Sequence, residues 1–162
     1  MVTTGRFTST QLISEEQILT LPSLDLAGAL EIGEIAKSLG VARNLPIAIE
    51  VRLGEWIVYH VSLPGSTPEN DWWLSRKART VMLKHHSTMY ERVSAEERGV
   101  DWHRENNLPD ETHAIHGGGL PLITKTEGFV GVLLISGLPQ VDDHLLGVEV
   151  LTEFLAAKGE LL

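Results

Sequence analysis

Two histidines three residues apart, His113 and His116, precede three consecutive glycines. Imidazole titrates near neutral pH, so these side chains could ligate a metal or a haem iron, or carry a proton in acid–base catalysis. Residues at this spacing share one face only in a helix, and here a strand pattern follows. We therefore expect His113 to bond backbone groups, whereas His116, beside the glycines, fits a pocket residue and a loop residue equally well.

The three glycines, Gly117–Gly119, lead into two apolar runs at 120–124 and 129–135. The second run is rich in valine and leucine, which is typical of a strand buried on both faces. Exposed glycine N–H groups can bind an anion, but no Gly-Lys-Ser/Thr follows and no helix begins here, as a phosphate loop requires. We predict mainly a bent strand entry that forms a pocket wall, with Gly117 and Gly118 contacting the ligand.

Three cations, Arg76, Lys77 and Arg79, lie within four positions of a segment with a helical pattern. Because the chain carries a net charge of −9, this cluster could hold a carboxylate or phosphate, with arginine supplying a bidentate fork. A solvated helix face and an intersubunit salt bridge to the acidic Glu96–Glu97 or Glu105 region are the alternatives. We take Arg76 and Lys77 as candidate ligand-binding residues.

Other residue groups have simpler interpretations. Trp72 and Trp73 could stack on a flat ligand, but we prefer an oligomer interface, where tryptophan is enriched. Asp142–His144 is interpreted as the capped start of the last helix, and it lacks a third member for a catalytic triad or a metal site. Ser136 is not in the Gly-x-Ser-x-Gly pattern of a nucleophile elbow. We expect no metal site.

Composition excludes several classes of protein. A chain of 162 residues suits one domain, which we predict over 1–162. The negative net charge and the lack of a basic tract argue against nucleic acid, and the lack of cysteine excludes thiol catalysis and cysteine-ligated metals. No apolar run reaches the roughly 18 residues of a membrane span. Residues 1–11 do not read as a secretory signal, so we expect a cytoplasmic protein with a flexible arm there.

Hydrophobic periodicity and turn residues predict a helix-rich chain with two hairpins. The helices are expected at 14–19, 25–40, 70–88, 94–107 with a break at Gly99, and 142–157. The strands are expected at 46–53, 56–63, 120–124 and 129–135. Strands that come as hairpins indicate a mainly antiparallel sheet with helices packed on it, which is the α+β class.

Four segments together resemble a known family. They are PIAIEVRLGEWIVYHVSLPG at 46–65, NDWWLSRKARTV at 70–81, HGGGLPL at 116–122 and GFVGVLLISGLPQVDDH at 128–144. In combination they are similar to the haem-degrading-domain family typified by GlcG, HbpS and the C-terminal domain of PduO. The chain looks closest to the branch that includes a yeast cytosolic member.

The resemblance implies a profilin-like α+β fold, with an antiparallel sheet of about five strands and helices packed on it. It also implies a homo-oligomer assembled from dimers. Some members bind haem or a related tetrapyrrole, and degradation has been claimed for some. A histidine near the first long helix contributes to haem binding in those members, whereas residues 25–44 of this chain contain neither histidine nor cysteine.

The first hypothesis for function is a cytosolic, homo-oligomeric binding protein for a small planar or anionic ligand, with haem or another tetrapyrrole among the candidates. The pocket is expected between His116, Gly117 and Gly118 on one side and Arg76 and Lys77 on the other.

Two further hypotheses remain open. One is an enzyme that acts on haem or another small molecule, with His116 or His144 as a ligand or a proton carrier. The other is an interaction or assembly protein that binds a protein partner through its tryptophans and the charged segment 94–107.

Overall fold

The computed structural model describes residues 4–160 and shows six helices and four strands within that range. The helices are α1 (Ser9–Ile18), α2 (Leu26–Ala42), α3 (Pro68–Lys84), α4 (Thr88–Glu97), α5 (Trp102–Asn106) and α6 (Gln140–Ala157). The strands are β1 (Ala48–Leu53), β2 (Trp56–Ser62), β3 (Gly119–Thr124) and β4 (Gly128–Ser136). The predicted α+β class and both predicted hairpins are confirmed.

The strands form one antiparallel sheet in the order β2-β1-β4-β3. The described residues thus form four strands, where the resemblance implies about five. Leu21 lies beside β3 and pairs with it over a single residue, donating to the Ile123 carbonyl and accepting from the Lys125 N–H, each at 2.8 Å. Pro22 follows directly, and since proline has no N–H to donate, this pairing does not extend into a fifth strand.

Helices cover both faces of the sheet, because β1 and β4 send apolar side chains alternately to the two sides. One face packs against α2 and α6, and the other packs against α3. The buried side chains are Ile49, Val51, Leu133 and Ile135 towards α2 and α6, and Ala48, Val132 and Leu134 towards α3. The central strands are therefore buried on both faces, as the apolar run at 129–135 predicts.

Helix α1 begins at Ser9, earlier than the predicted start at Ser14. Thr8 caps it in a reciprocal capping box with Gln11, and Leu12 is fully buried beside Met89 of α4. Residues 9–11 therefore belong to a packed helix rather than to a flexible arm. The first three residues of the expected arm lie outside the described range.

The segment after α3 also differs from the prediction. Helix α3 ends at Lys84, with His85 in the left-handed conformation at φ 60°, and Ser87 caps α4. Helix α4 thus begins well before residue 94, while the predicted break at Gly99 is confirmed by its φ of 67°. The prediction that the helix over 94–107 is exposed is wrong for its second half. Trp102 is buried there, and its indole N–H donates to Glu91 at 3.0 Å.

No helix within residues 4–160 is both long enough and apolar enough to cross a membrane.

Candidate functional site

A cavity of about 280 Å³ opens between α3, the glycine segment and the start of α6. Its lining comes from three parts of the chain, within 70–77, at 116 and within 136–143, which are far apart in sequence and meet only in the fold. The lining residues are Asn70, Trp73, Lys77, His116, Ser136, Gly137, Leu138, Gln140 and Asp143. Of the candidate ligand-binding residues, Lys77 and His116 are brought together here.

Lys77 reaches the cavity from α3 and is almost fully buried. Its ammonium donates to the Ile135 carbonyl at 2.8 Å and to Asp143 Oδ2 at 3.2 Å. Burial lowers the pKa of Lys77, and the neighbouring Asp143 carboxylate opposes that shift. The sequence predicts a charged cluster at this position, but it does not predict that the lysine is taken out of water.

Asp143 supplies the opposite charge from the first turns of α6. Burial raises its pKa to about 6, although Lys77 and the backbone N–H groups of Gly137 and Leu138 favour the ionised form. The lysine and the aspartate are therefore both displaced towards their neutral forms. The expected cap at Asp142 or Asp143 is wrong, because α6 begins at Gln140 with Pro139 before it.

His116 is the histidine in the cavity lining. Its pKa is lowered to about 4, first by burial and then by the positive charge of Arg92, with Lys77 and Arg76 adding to the effect and Asp110 opposing it. The imidazole is therefore neutral at physiological pH.

The Nδ1 atom of His116 is buried and has no hydrogen-bond partner among the described residues. Its ring contacts the edge of Trp73, with the ring centroids 4.6 Å apart. A buried polar atom without a partner costs roughly 1–3 kcal/mol, so a ligand that hydrogen-bonds to Nδ1 would recover that cost.

Arg76 lies next to Lys77 in sequence, but it does not line the cavity. Its guanidinium lies 4.1 Å from the ring centroid of Trp72 and 4.0 Å from that of Trp73. It also forms a 2.6 Å ion pair with Asp110, and its side chain is 1% exposed. The solvated-face and intersubunit interpretations are both wrong for Arg76, because its partners belong to the same chain.

Gly117 and Gly118, predicted to contact the ligand, are not among the residues that line the cavity. A Cβ at Gly117 would lie 2.4 Å from the Gln140 carbonyl, and one at Gly118 would lie 2.3 Å from the Ile135 carbonyl. Glycine is therefore required at these positions because backbone carbonyls of the same chain approach closely, and not because a ligand does. This packing, together with a φ of 121° at Gly118, produces the bend that the sequence predicts.

The remaining candidates lie apart from the cavity. His113 bonds the Thr112 hydroxyl at 2.8 Å, and His144 is fully buried with Nε2 2.7 Å from Glu15. Arg79 is exposed and donates to the Thr112 carbonyl at 3.3 Å. Within residues 4–160 no group of three or more His, Asp or Glu side chains is arranged to hold a metal ion.

Four polar lining residues, Asn70, Ser136, Gln140 and Asp143, were not predicted to contribute to the site. Asn70 donates to the Ser136 hydroxyl at 3.4 Å, and Gln140 accepts from the Gly117 N–H at 3.1 Å. Asp143 could be identified as the partner of Lys77, because a buried lysine requires a carboxylate nearby. That inference needs the burial of Lys77, which the sequence alone does not show.

The family model described as haem degrading protein HbpS-like matches residues 24–152. The UPF0303 protein of Streptomyces avermitilis is 36% identical over 145 residues, which cover 90% of this chain and 89% of that protein. The UPF0303 protein of Rhizobium johnstonii is 35% identical over 146 residues, covering 90% of each. The chain therefore belongs to the HbpS-like haem-degrading protein family.

Solved structures share the fold. The crystal structure of the Ybr137w protein superposes with a TM-score of 0.84 at 24% identity, covering 92% of this chain and 88% of that one. The structure of a PduOC:heme complex superposes with a TM-score of 0.60 at 18% identity, covering 79% and 94% respectively. At these identities the similarity shows a shared fold only. The haem is a ligand of the PduOC complex.

The residues of this cavity do not fit a haem. A cavity of about 280 Å³ is too small to enclose a tetrapyrrole macrocycle. Helix α2 also contains neither histidine nor cysteine. The cavity matches a smaller ligand.

Proposed function

We propose that this protein binds a small anionic ligand, such as a carboxylate, in the cavity lined by Lys77 and His116. The observation that carries the proposal is the buried Nδ1 of His116, which lacks a protein partner in a cavity wall. Neutral imidazole with its proton on Nδ1 can donate a hydrogen bond to a carboxylate oxygen.

The charges around His116 support an anion over a cation. Three cations, Arg92, Lys77 and Arg76, act on the His116 imidazole to disfavour its protonation, and Asp110 alone acts in the opposite direction. Each of these cations also has a carboxylate partner in the same chain, so their attraction for an anion is weaker than that of three unpaired charges. Trp73 adds an aromatic wall on which a planar group can pack.

Binding of acetate, benzoate and inorganic phosphate, followed through tryptophan fluorescence and thermal shift, tests the proposal. We expect saturable binding of at least one of these anions and a Kd raised about tenfold in His116→Leu, since a hydrogen bond to a charged group contributes roughly 1.5–3 kcal/mol. The matched control is His113→Leu, which removes a histidine outside the cavity and should leave the Kd unchanged. Saturable binding of none of the three anions, or equal losses in both variants, would contradict the proposal.

A titration with hemin separates this proposal from the haem hypothesis. We expect no saturable Soret band that depends on His116, because the cavity is too small for the macrocycle. A stoichiometric Soret band in the wild type that disappears in His116→Leu would replace the small-anion proposal with haem binding.

We also propose that the protein self-associates, and the free edge of the sheet supports this. Strand β2 has no neighbour on its outer side among the described strands, and its first residues, Trp56 and Ile57, are 62% and 48% exposed. An unpaired strand edge with large apolar side chains is well suited to pairing with another chain. A cytoplasmic location remains a prediction from composition.

A further inference from the structure

Lys77 has the features of a lysine that reacts with carbonyl groups. It lines a cavity sized for a small molecule, only 3% of its side chain is exposed, and the Ile135 carbonyl and Asp143 are its hydrogen-bond partners. An ammonium has three N–H donors, so these two contacts leave one position of the nitrogen for a ligand. A buried lysine readily shifts its pKa, which is how proteins obtain an amine nucleophile near neutral pH.

We propose that Lys77 forms a reversible imine with the carbonyl carbon of a small aldehyde or ketone held in the cavity. This inference rests on the proposed function, because the same cavity must first admit a small ligand. It adds a covalent step and a substrate class that simple anion binding does not require.

Asp143 is placed to carry the protons of this reaction. Its Oδ2 lies 3.2 Å from Lys77 Nζ, so it can accept the ammonium proton and leave a free amine. The amine lone pair attacks the carbonyl carbon, a C–N bond forms and the C=O π bond breaks. A proton passes from nitrogen to oxygen, with the neutral His116 imidazole as a relay in the same cavity, and this gives a carbinolamine.

Asp143 then returns its proton to the carbinolamine hydroxyl. The C–O bond breaks, water leaves and the nitrogen lone pair forms the C=N bond. The sum is a lysine ammonium plus a carbonyl compound giving a protonated imine plus water, with no oxidant or reductant. The positive charge is either paired with the Asp143 carboxylate or neutralised by proton transfer to it, so no buried charge is left without its partner.

The pKa directions of the pair agree with this geometry. Burial lowers the pKa of Lys77 and raises that of Asp143 to about 6. Transfer of one proton from lysine to aspartate is therefore less costly than it is between the free side chains in water. Each unit by which the lysine pKa falls increases the fraction of free amine about tenfold at neutral pH.

Reductive trapping tests the proposal on the full-length protein. The wild type is incubated with acetaldehyde or with pyruvate in the presence of cyanoborohydride, and the adducts are located by peptide mass mapping. Lys125, which lies exposed in the β3–β4 turn, serves as the internal reference. We expect saturable labelling of Lys77 at least about tenfold faster than labelling of Lys125 with at least one probe.

Three variants test the assignment. Lys77→Arg keeps the positive charge and should lose the fast adduct, whereas Lys125→Arg should keep it. Asp143→Asn should slow the labelling of Lys77 because the proton acceptor is gone. The comparison of two lysines within the wild type stands even if a variant fails to fold.

The outcomes separate this inference from the proposed function. Labelling of Lys77 no faster than that of Lys125 with both probes overturns the imine. If acetate or benzoate still binds in a manner that depends on His116, the anion site survives and Lys77 is a structural donor. Fast labelling of Lys77 with acetaldehyde in a protein that binds no anion supports the imine and overturns the anion site.

Discussion

At the scale of single residues, burial decides what each cation of α3 can do. Arg76 and Lys77 are neighbours in sequence, yet Arg76 is held between two tryptophans and paired with Asp110, while Lys77 lines the cavity beside Asp143. Arg79, two residues further on, remains exposed. Three similar side chains therefore have a packing role, a candidate chemical role and a surface role.

Replacement of Arg76 by methionine should lower the free energy of unfolding by about 2 kcal/mol, because an ion pair with the half-exposed Asp110 and two cation–π contacts are lost together. Arg79→Met makes the same change on the exposed side of the helix and should cost less than about 0.5 kcal/mol. Urea unfolding of both variants measures this difference. Similar unfolding midpoints for the two variants would show that the packing of Arg76 on Trp72 and Trp73 contributes little stability.

His116 should make the protein less stable in acid. Its pKa of about 4 in the folded state is below the value of about 6.5 in the unfolded chain, so between these values only the unfolded chain takes up the proton. Stability therefore falls as pH drops from 6.5 to 4, by roughly 1–2 kcal/mol after solvent screening. The loss should be smaller in His116→Gln, measured by denaturant unfolding at pH 7 and pH 4.5. Parallel losses in the two proteins would contradict this prediction.

At the scale of elements, two adjacent glutamates attach α1 to the body of the domain. Glu15 contacts His144 of α6 at 2.7 Å, and Glu16 accepts from both His86 and the Ser87 N–H at 2.8 Å. The early start of α1 is explained by these contacts and by the burial of Leu12 against α4. The helix is therefore held by tertiary interactions rather than by its own weak amphipathic pattern.

The pairing of His86 with Glu16 should hold α1 more firmly at mildly acidic pH. The hydrogen bond that the His86 imidazole donates to Glu16 raises the pKa of His86, so the stabilisation is complete below the unfolded pKa of about 6.5 and is lost as pH rises through the folded pKa. Since this side chain is 37% exposed, we expect an effect below about 1 kcal/mol.

Hydrogen exchange in α1 measures that contribution. His86→Gln should speed exchange at pH 5.5 and have little effect at pH 9, where wild-type His86 is neutral as well. Equal acceleration at both values would mean that the imidazole acts through packing on Tyr90 rather than through its charge.

At the scale of the whole molecule, the sheet has two unequal edges. Leu21 covers one end of the β3 edge, whereas within residues 4–160 no strand pairs with the outer side of β2, which begins with exposed Trp56 and Ile57. Both faces of the sheet are already covered by helices, so β2 is the natural place for a second copy of the chain to add strands.

Light scattering should give a mass that is a multiple of the 17.8 kDa chain. A Trp56→Lys and Ile57→Lys double variant should lower that mass, because charge on an edge strand opposes pairing. Leu83→Lys, which alters an exposed apolar residue of α3, is the control. A monomeric wild type would contradict self-association. A lower light-scattering mass in Leu83→Lys alone would indicate that the interface lies on α3 instead of β2.

The sequence by itself determined the class of fold, the two hairpins and the bend at Gly117–Gly119. These follow from local periodicity and from glycine, whose effects act within a few residues of the chain. It also placed His116 beside the glycines as the best single candidate for a pocket residue. Specific motifs between 46 and 144 indicated the family, which the match over residues 24–152 confirms.

Only the tertiary structure decided the chemistry of the cavity. Whether Lys77 is solvated or buried depends on β4 and α6, which follow it in sequence by more than fifty residues. Its pairing with Asp143, the isolation of His116 Nδ1 and the enclosure of Arg76 are all long-range contacts. Charge and hydrogen bonding at a site depend on which distant groups exclude water from it, and that information is absent from any local pattern of residues.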